Sequence, residues 1–71
     1  MINKLLMEEI KMIENLIEEL RALAASVQIT LELGKSPTVH AFDSDKNLHR
    51  TEAYTLERAL EMMIFRLRKS E

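Results

Sequence analysis

The first 27 residues follow a helical hydrophobic pattern. One apolar seam recurs at alternating spacings of four and three, and comprises Leu6, Ile10, Ile13, Ile17, Leu20, Ala24 and Val27. This spacing is typical of one face of a long helix. A second apolar row lies beside the seam, and comprises Ile2, Leu5, Met12, Leu16 and Leu23. The narrow polar strip that remains comprises Lys4, Glu8, Lys11, Asn15 and Glu18. One small sheet covers one such face, so the second face predicts a second copy of the chain.

Chain length supports the same prediction. A helix from about Asn3 to Ala25 is about 35 Å long. A compact chain of 71 residues has an expected radius of gyration of about 11 Å and is roughly 30 Å across. The helix therefore projects past its own globule unless a second subunit continues the core. Cysteine is absent, which leaves oligomerisation as the way to stabilise so small a domain.

The pattern then changes to a two-residue period. Apolar and polar residues alternate over Val27–Leu33, which predicts a strand with one buried face. The only Gly and the only Pro of the chain lie in Gly34–Pro37, which predicts a turn. Thr38–Phe42 is the expected returning strand.

The register of this hairpin depends on the number of residues in its loop. An even number buries Phe42 and places His40 on the same face, whereas an odd number buries Val39 and Ala41. We predict the even register, because it buries the larger side chain.

The remainder of the chain predicts a turn, a short strand and a helix. Asp43–Asn47 is rich in turn-forming residues, and Leu48–Ala53 is either a third strand or an extended lead-in. Thr55 is the expected N-cap of the last helix, and Tyr54 is positioned to pack on its first turn. The apolar face of this helix comprises Leu56, Ala59, Leu60, Met63, Ile64 and Leu67. Its last turn carries Arg66, Arg68 and Lys69, which interact favourably with the helix dipole.

These elements predict a single α+β domain over residues 1–71 with the order α-β-β-(β)-α. We expect a small antiparallel sheet of two to three strands, with both helices on one sheet face. The other face, which carries Gln28, Thr30 and Glu32, should stay in contact with water.

Composition narrows the functional classes. The chain has 12 acidic and 10 basic residues and a net charge of -2, so its overall charge does not favour nucleic acid or anionic membranes. No apolar run approaches the length of about 20 residues that a bilayer requires. Glu8, Glu9 and Lys11 interrupt the N-terminal apolar residues, which argues against a signal peptide. We expect a soluble, cytoplasmic protein.

Two patterns contain the residue types that metal sites use. Asp43, Asp45 and Asn47 match the opening of a calcium-binding EF-hand loop, but Leu48 and Tyr54 stand where that loop requires Gly and Glu. A hairpin turn with side-chain hydrogen bonds is the preferred interpretation. His40 and His49, joined by Glu52, could approach each other around this turn, yet no helical pair of His fixes a ligand geometry. We expect no metal and no cofactor.

Catalytic motifs give no support for an enzyme. The sequence lacks a Cys nucleophile, a Gly-rich phosphate loop and a nucleophile elbow. Its serines have no evident base and orienting acid nearby. A non-enzymatic protein is therefore expected.

The order of elements resembles the layout of the double-stranded-RNA-binding domain. In that family the closing helix opens with a lysine-rich turn that contacts phosphates; here that turn is Thr55–Ala59, with one cation and one acid. The resemblance implies RNA binding. Thr55–Leu60 also resembles the helix start of HicB-type antitoxin modules, from which we infer no function.

The preferred hypothesis is a homodimeric interaction protein. It would be a small regulator or inhibitor that binds another macromolecule, most simply a protein, of the kind that bacteria and their phages encode. The predicted oligomer interface comprises Leu6, Ile10, Ile13, Leu16, Ile17, Leu20, Met62 and Phe65. The predicted partner-binding residues are His40, His49, Arg50, Arg58, Arg66 and Arg68.

Nucleic-acid binding is the alternative function. Basic residues are concentrated in the second half of the chain, where they comprise Lys46, His49, Arg50, Arg58, Arg66, Arg68 and Lys69. A dimer could align two such patches. A third possibility is small-molecule sensing in a cleft between two copies.

Overall fold

The computed structural model describes the backbone of residues 4–69 and the side chains of residues 7–69. It has the elements α1 (Lys4–Leu23), β1 (Ser26–Thr30), β2 (Thr38–Phe42), β3 (Leu48–Glu52) and α2 (Leu56–Lys69). The strands form one antiparallel sheet in the order β1-β2-β3. The predicted α+β class is confirmed, and Leu48–Glu52 forms a third strand, which is one of the two alternatives that the sequence left open.

The register of the first hairpin is the opposite of the predicted one. Val27 lies across from Ala41 and Ile29 lies across from Val39, so these residues share one face of the sheet. Val39 and Ala41 are buried, whereas Phe42 is 42% exposed on the other face. The prediction that Phe42 and His40 face the core is therefore wrong.

The early end of β1 explains this register. The predicted strand continues to Leu33, but β1 ends at Thr30, and an odd number of residues, 31–37, connects it to β2. The amide of Lys35 donates to the carbonyl of Glu32 (3.1 Å) across a turn in which Gly34 has a φ of 80°. This left-handed conformation favours glycine. Leu31 and Leu33 consequently lie in the loop, where both are exposed.

The core joins both helices to one set of strand residues. Its buried apolar members are Leu20, Val39, Ala41, Ala59, Leu60, Met63, Ile64 and Leu67. Helix α2 contacts β2 and β3, and α1 contacts α2 and β1. The hydroxyl of Thr51, the one buried polar residue among those described, donates to the carbonyl of Ala59 (2.8 Å) and ties β3 to α2. A buried hydroxyl is costly without such a partner.

The start of α2 follows the sequence prediction in part. The Thr55 hydroxyl accepts a hydrogen bond from the amide of Arg58 (3.1 Å), which confirms the N-cap. Tyr54 is 97% exposed, so the predicted packing of its ring on the first turn of the helix is wrong.

Helix α1 is only partly covered by the rest of the chain. Leu20 is fully buried, and the apolar residues packed against the core begin at Ile13. Met7, Ile10 and Met12 are each about half exposed. The molecule measures 45 × 25 × 17 Å and has a radius of gyration of 12.7 Å. This exceeds the value of about 11 Å expected for a compact chain of this length and agrees with the predicted projecting helix.

The core predicts that alanine substitution at two leucines has very different effects on the free energy of unfolding. Leu60→Ala should lower the free energy of unfolding by about 2–5 kcal/mol, because it removes methyl groups from a fully buried site. Leu33→Ala should change it by less than about 0.5 kcal/mol, because Leu33 is fully exposed. Urea unfolding followed by circular dichroism, at one chain concentration, measures both. Equal losses in the two variants would contradict this core.

Candidate functional site

The first candidate surface is an apolar stripe on α1. At 100° per residue, Met7, Ile10, Ile13 and Ile17 fall on one side of the helix, and we call them the α1 flank. Met7 and Ile10 are exposed, whereas Ile13 and Ile17 are half-buried at the margin of the core. Half of this stripe therefore contacts solvent in the single chain.

The residues predicted at the oligomer interface separate into two groups. Leu20 belongs to the chain's own core and has no surface left for a partner. Leu16 is half-buried against that core, and Leu6 lies outside the described side chains. Ile10 and the half-buried Ile13 and Ile17 remain available on the α1 flank.

The second candidate surface is a groove beside α2. It has a volume of about 790 Å³ and is lined by Thr51, Arg58, Glu61, Met62, Phe65, Arg66 and Lys69. We call it the α2 groove. Phe65 is 69% exposed, and Met62 is exposed beside it. Both side chains point away from the buried face of α2, so the groove adds a second exposed apolar patch.

The charged residues of the α2 groove are mostly cations. Arg58, Arg66 and Lys69 line it together with a single carboxylate, Glu61. Arg66 also donates from Nη1 to the backbone carbonyl of Arg50 (2.9 Å), which holds its side chain against β3. The groove therefore combines an aromatic anchor with a positively charged rim.

The structure divides the residues predicted to bind a partner. Arg58 and Arg66 meet in the α2 groove, whereas Arg68 forms an ion pair with Glu19 of α1. His40 and Arg50 are cross-strand neighbours on the open sheet face. His49 lies across from Ala41, so it is on the opposite face from His40. The expected approach of the two imidazoles does not occur.

The open sheet face carries paired charges near Arg50 and in the adjoining loop, whereas Phe42 and its cross-strand neighbour Leu48 are exposed on the same face. Arg50 Nη2 donates to Glu52 Oε2 (2.8 Å), and the Lys35 ammonium lies 2.9 Å from a carboxylate oxygen of Glu32. The Nδ1 atom of the half-buried His40 has no hydrogen-bond partner among the described residues. These pairs leave little free charge on this face for a ligand.

The acidic turn is a structural element. One carboxylate oxygen of Asp43 accepts hydrogen bonds from the amides of Asp45 and Asn47, each at 2.9 Å. The other lies 2.9 Å from Nε2 of His49. The bond to His49 and the backbone bonds hold the pKa of Asp43 below its ordinary value of 3.8. This confirms the turn with side-chain hydrogen bonds that the sequence favoured.

The described titratable side chains are dispersed over the fold. Within residues 4–69, no three His, Asp or Glu side chains are grouped so that they could hold a metal ion. No hydroxyl in that range forms a hydrogen bond with His40 or His49. The contact of His49 with Asp43 joins the start of β3 to the turn that precedes it.

One feature of the α2 groove was missed in the sequence. Arg58, Met62, Phe65 and Lys69 recur at spacings of four, three and four, which places them on one stripe of α2. From the sequence, Met62 and Phe65 are predicted at an oligomer interface and Arg58 at a partner site, whereas Lys69 is only one of the basic residues of the second half. Their common helical period is the sequence signal that places these four residues on one surface.

The chain was compared with protein families, curated proteins and solved structures. No protein-family model, curated protein or solved structure matches this chain. The likeness to the double-stranded-RNA-binding domain and to HicB-type modules therefore gains no support. Within residues 4–69, neither helix combines the length and apolar character that a membrane span requires.

The hydrogen bonds of Asp43 predict a pH-dependent contribution to stability. Because folding lowers its pKa, ionised Asp43 stabilises the protein above the ordinary pKa of 3.8, and this stabilisation is lost as pH falls through the folded pKa. Asp43→Asn should therefore lower the melting temperature at pH 7, and its difference from the wild type should shrink below about pH 4.

Thermal unfolding between pH 7 and pH 2, followed by circular dichroism, measures this difference. Asp45→Asn removes the same charge from an exposed side chain of the same turn and is the matched control. A loss of equal size at every pH, or in both variants, would contradict the role of the Asp43 carboxylate.

Proposed function

We propose that the protein is a non-enzymatic homodimer that binds another protein and acts as a small regulator or inhibitor. The observation that carries this proposal is the presence of two separate exposed apolar surfaces, the α1 flank and the α2 groove. Exposed apolar patches on a soluble domain commonly mark interaction sites. A bacterial or phage origin and a location in the cytoplasm are part of the same proposal.

Self-association is assigned to the α1 flank. Helix α1 has 20 residues and is about 30 Å long, yet Leu20 is its only fully buried residue among those described. A second copy brings an identical apolar stripe, so both stripes are covered by one self-complementary contact. This is the assembly that best removes the flank from water.

Binding of a different protein is assigned to the α2 groove. Phe, Met and Arg are enriched at protein interfaces, and Met62, Phe65, Arg58 and Arg66 lie together in this groove. Its cations favour a partner that carries carboxylates around an apolar anchor. We therefore propose an acidic segment with an aromatic or aliphatic side chain as the bound element.

Nucleic-acid binding is the second candidate. The observation in its favour is that Arg58, Arg66 and Lys69 lie beside an exposed aromatic ring, Phe65, on which a base could stack. The net charge of -2 and the ion pair between Arg68 and Glu19 weaken this candidate. Protein binding is the better supported of the two.

The α1 flank predicts the effect of one charge on assembly. Ile10→Asp should convert the dimer to a monomer, because it places a carboxylate in the proposed apolar contact. Its side chain is 48% exposed in the single chain, so the fold should persist. Sedimentation velocity over a range of concentrations measures the assembly, and far-ultraviolet circular dichroism measures the fold.

Asn15→Asp introduces the same residue and the same charge on the exposed polar strip of α1, and it should remain dimeric. Ile13→Asp is less informative, because Ile13 packs on the core and its replacement mixes unfolding with dissociation. A wild-type chain that stays monomeric at high micromolar concentration would refute the homodimer.

The α2 groove predicts which peptides bind. A random peptide library selected on the wild-type chain should yield acidic sequences with an aromatic or aliphatic anchor. Phe65→Ala should weaken a selected peptide at least about tenfold, because loss of an interface anchor costs more than about 1 kcal/mol. Fluorescence anisotropy of the labelled peptide measures this affinity.

Tyr54→Ala removes an exposed aromatic ring outside the groove and should bind the peptide like the wild type. Equal binding by Phe65→Ala would refute the assignment of the groove. An oligonucleotide that binds instead, with an affinity that falls steeply as salt rises, would favour the second candidate.

A further inference from the structure

The two edges of the sheet differ in how they are protected. Strand β3 carries the charged residues Arg50 and Glu52, and Arg66 donates a hydrogen bond to the Arg50 carbonyl. Charged side chains of this kind keep an edge strand from pairing with another chain. Strand β1, with the sequence SVQIT, has no charged residue and no proline. Its edge lacks these protections.

The backbone groups at the β1 edge can be assigned from the ladder. The amide of Ala53 donates to the carbonyl of Pro37, and the amide of Asp43 donates to the carbonyl of Asn47. In an antiparallel pair the hydrogen-bonding direction alternates along each strand. The odd-numbered residues of β2 therefore bond to β3 and its even-numbered residues bond to β1. By the register of β1, the amides and carbonyls of Val27 and Ile29 point away from the sheet.

The side chains beside this edge are also incompletely covered. A groove of about 380 Å³ runs between α1 and the β1 edge, and Ile17, Arg21, Ala24, Val27 and Ile29 contribute to its lining. All but Arg21 are half-buried apolar residues. Ile17 also belongs to the α1 flank, so the flank and the β1 edge form one continuous surface.

We infer that β1 pairs antiparallel with β1 of a second copy, an inference that rests on the homodimer proposed above. The two sheets would then form one sheet of six strands, three from each copy. In the register in which the two β1 strands overlap along their whole length, Gln28 of one chain lies opposite Gln28 of the other, on the two-fold axis. Val27 of each chain exchanges backbone hydrogen bonds with Ile29 of the other, which satisfies all the outward groups of both residues.

The position of α1 supports a second copy as the occupant of this surface. Because α1 contacts β1, pairing of the two strands brings the two copies of α1 together in antiparallel orientation. Glu14 and Arg21 fall on the same side of the helix as Ile10 and Ile17. In antiparallel helices, Arg21 of one copy lies toward Glu14 of the other copy, so opposite charges face each other. The apolar stripes of the two helices also face each other, so the two surfaces are complementary.

Hydrogen exchange of backbone amides tests the pairing directly. The amides of Val27 and Ile29 should be protected in the dimer at high concentration and should exchange rapidly in the Ile10→Asp monomer. The amide of Gln28, which bonds to β2, should be protected in both and is the internal control. Heteronuclear magnetic resonance on the full chain measures all three.

A charge exchange at the two-fold axis tests the register. Gln28→Lys and Gln28→Glu should each weaken self-association about two- to fivefold, because like charges face each other across the new strand pair. An equal mixture of the two variants should restore it. Leu48→Lys places a cation on the β3 edge and should have no effect.

The outcomes separate this inference from the proposed homodimer. A dimer in which the amides of Val27 and Ile29 are unprotected, and which tolerates both Gln28 variants, overturns the strand pairing and leaves the homodimer intact. A chain that is monomeric throughout overturns both. Protected amides together with rescue in the mixture establish the shared sheet.

Discussion

Helix α2 contacts two of the three strands, and this packing limits the sheet surface that is left for α1. Helix α2 covers β2 and β3, where the small residues Ala41 and Ala59 are both buried. The hydrogen bond from Thr51 to the carbonyl of Ala59 holds the two elements together. Helix α1 is left with β1 and the side of α2, which is too little surface to cover its apolar residues.

Both proposed interaction surfaces follow from this arrangement. The part of α1 that finds no cover becomes the α1 flank, which continues into the unprotected edge of β1. On α2, the stripe turned away from the sheet carries Phe65 and the cations around it. Both helices thus leave apolar residues exposed. A small domain gains stability when a second chain covers such residues, because the burial of apolar surface is the main favourable term in association.

Some charged and polar residues are paired within the chain, whereas others surround the α2 groove. Asp43 and His49 order the turn between β2 and β3, and Arg68 is paired with Glu19 across the two helices. Arg58, Arg66 and Lys69 remain around the α2 groove. Basic residues that are neighbours in the sequence therefore differ in role, because helical geometry points Arg66 toward β3 and Arg68 toward α1.

The sequence determined most of the elements, since these have a local physical cause. The helical period, the Thr55 cap and the turn residues predicted two helices and two strands in the observed order, but left open whether residues 48–53 form a third strand. The sequence did not determine which face of β2 is buried. Both faces carry apolar residues, and a change of one residue in the loop exchanges them. Packing decided it: β1 ends at Thr30, Val39 and Ala41 fit beneath α2, and Phe42 turns outward. The α2 groove is likewise a tertiary feature, because it forms only where Phe65 and Arg66 come to lie beside β3.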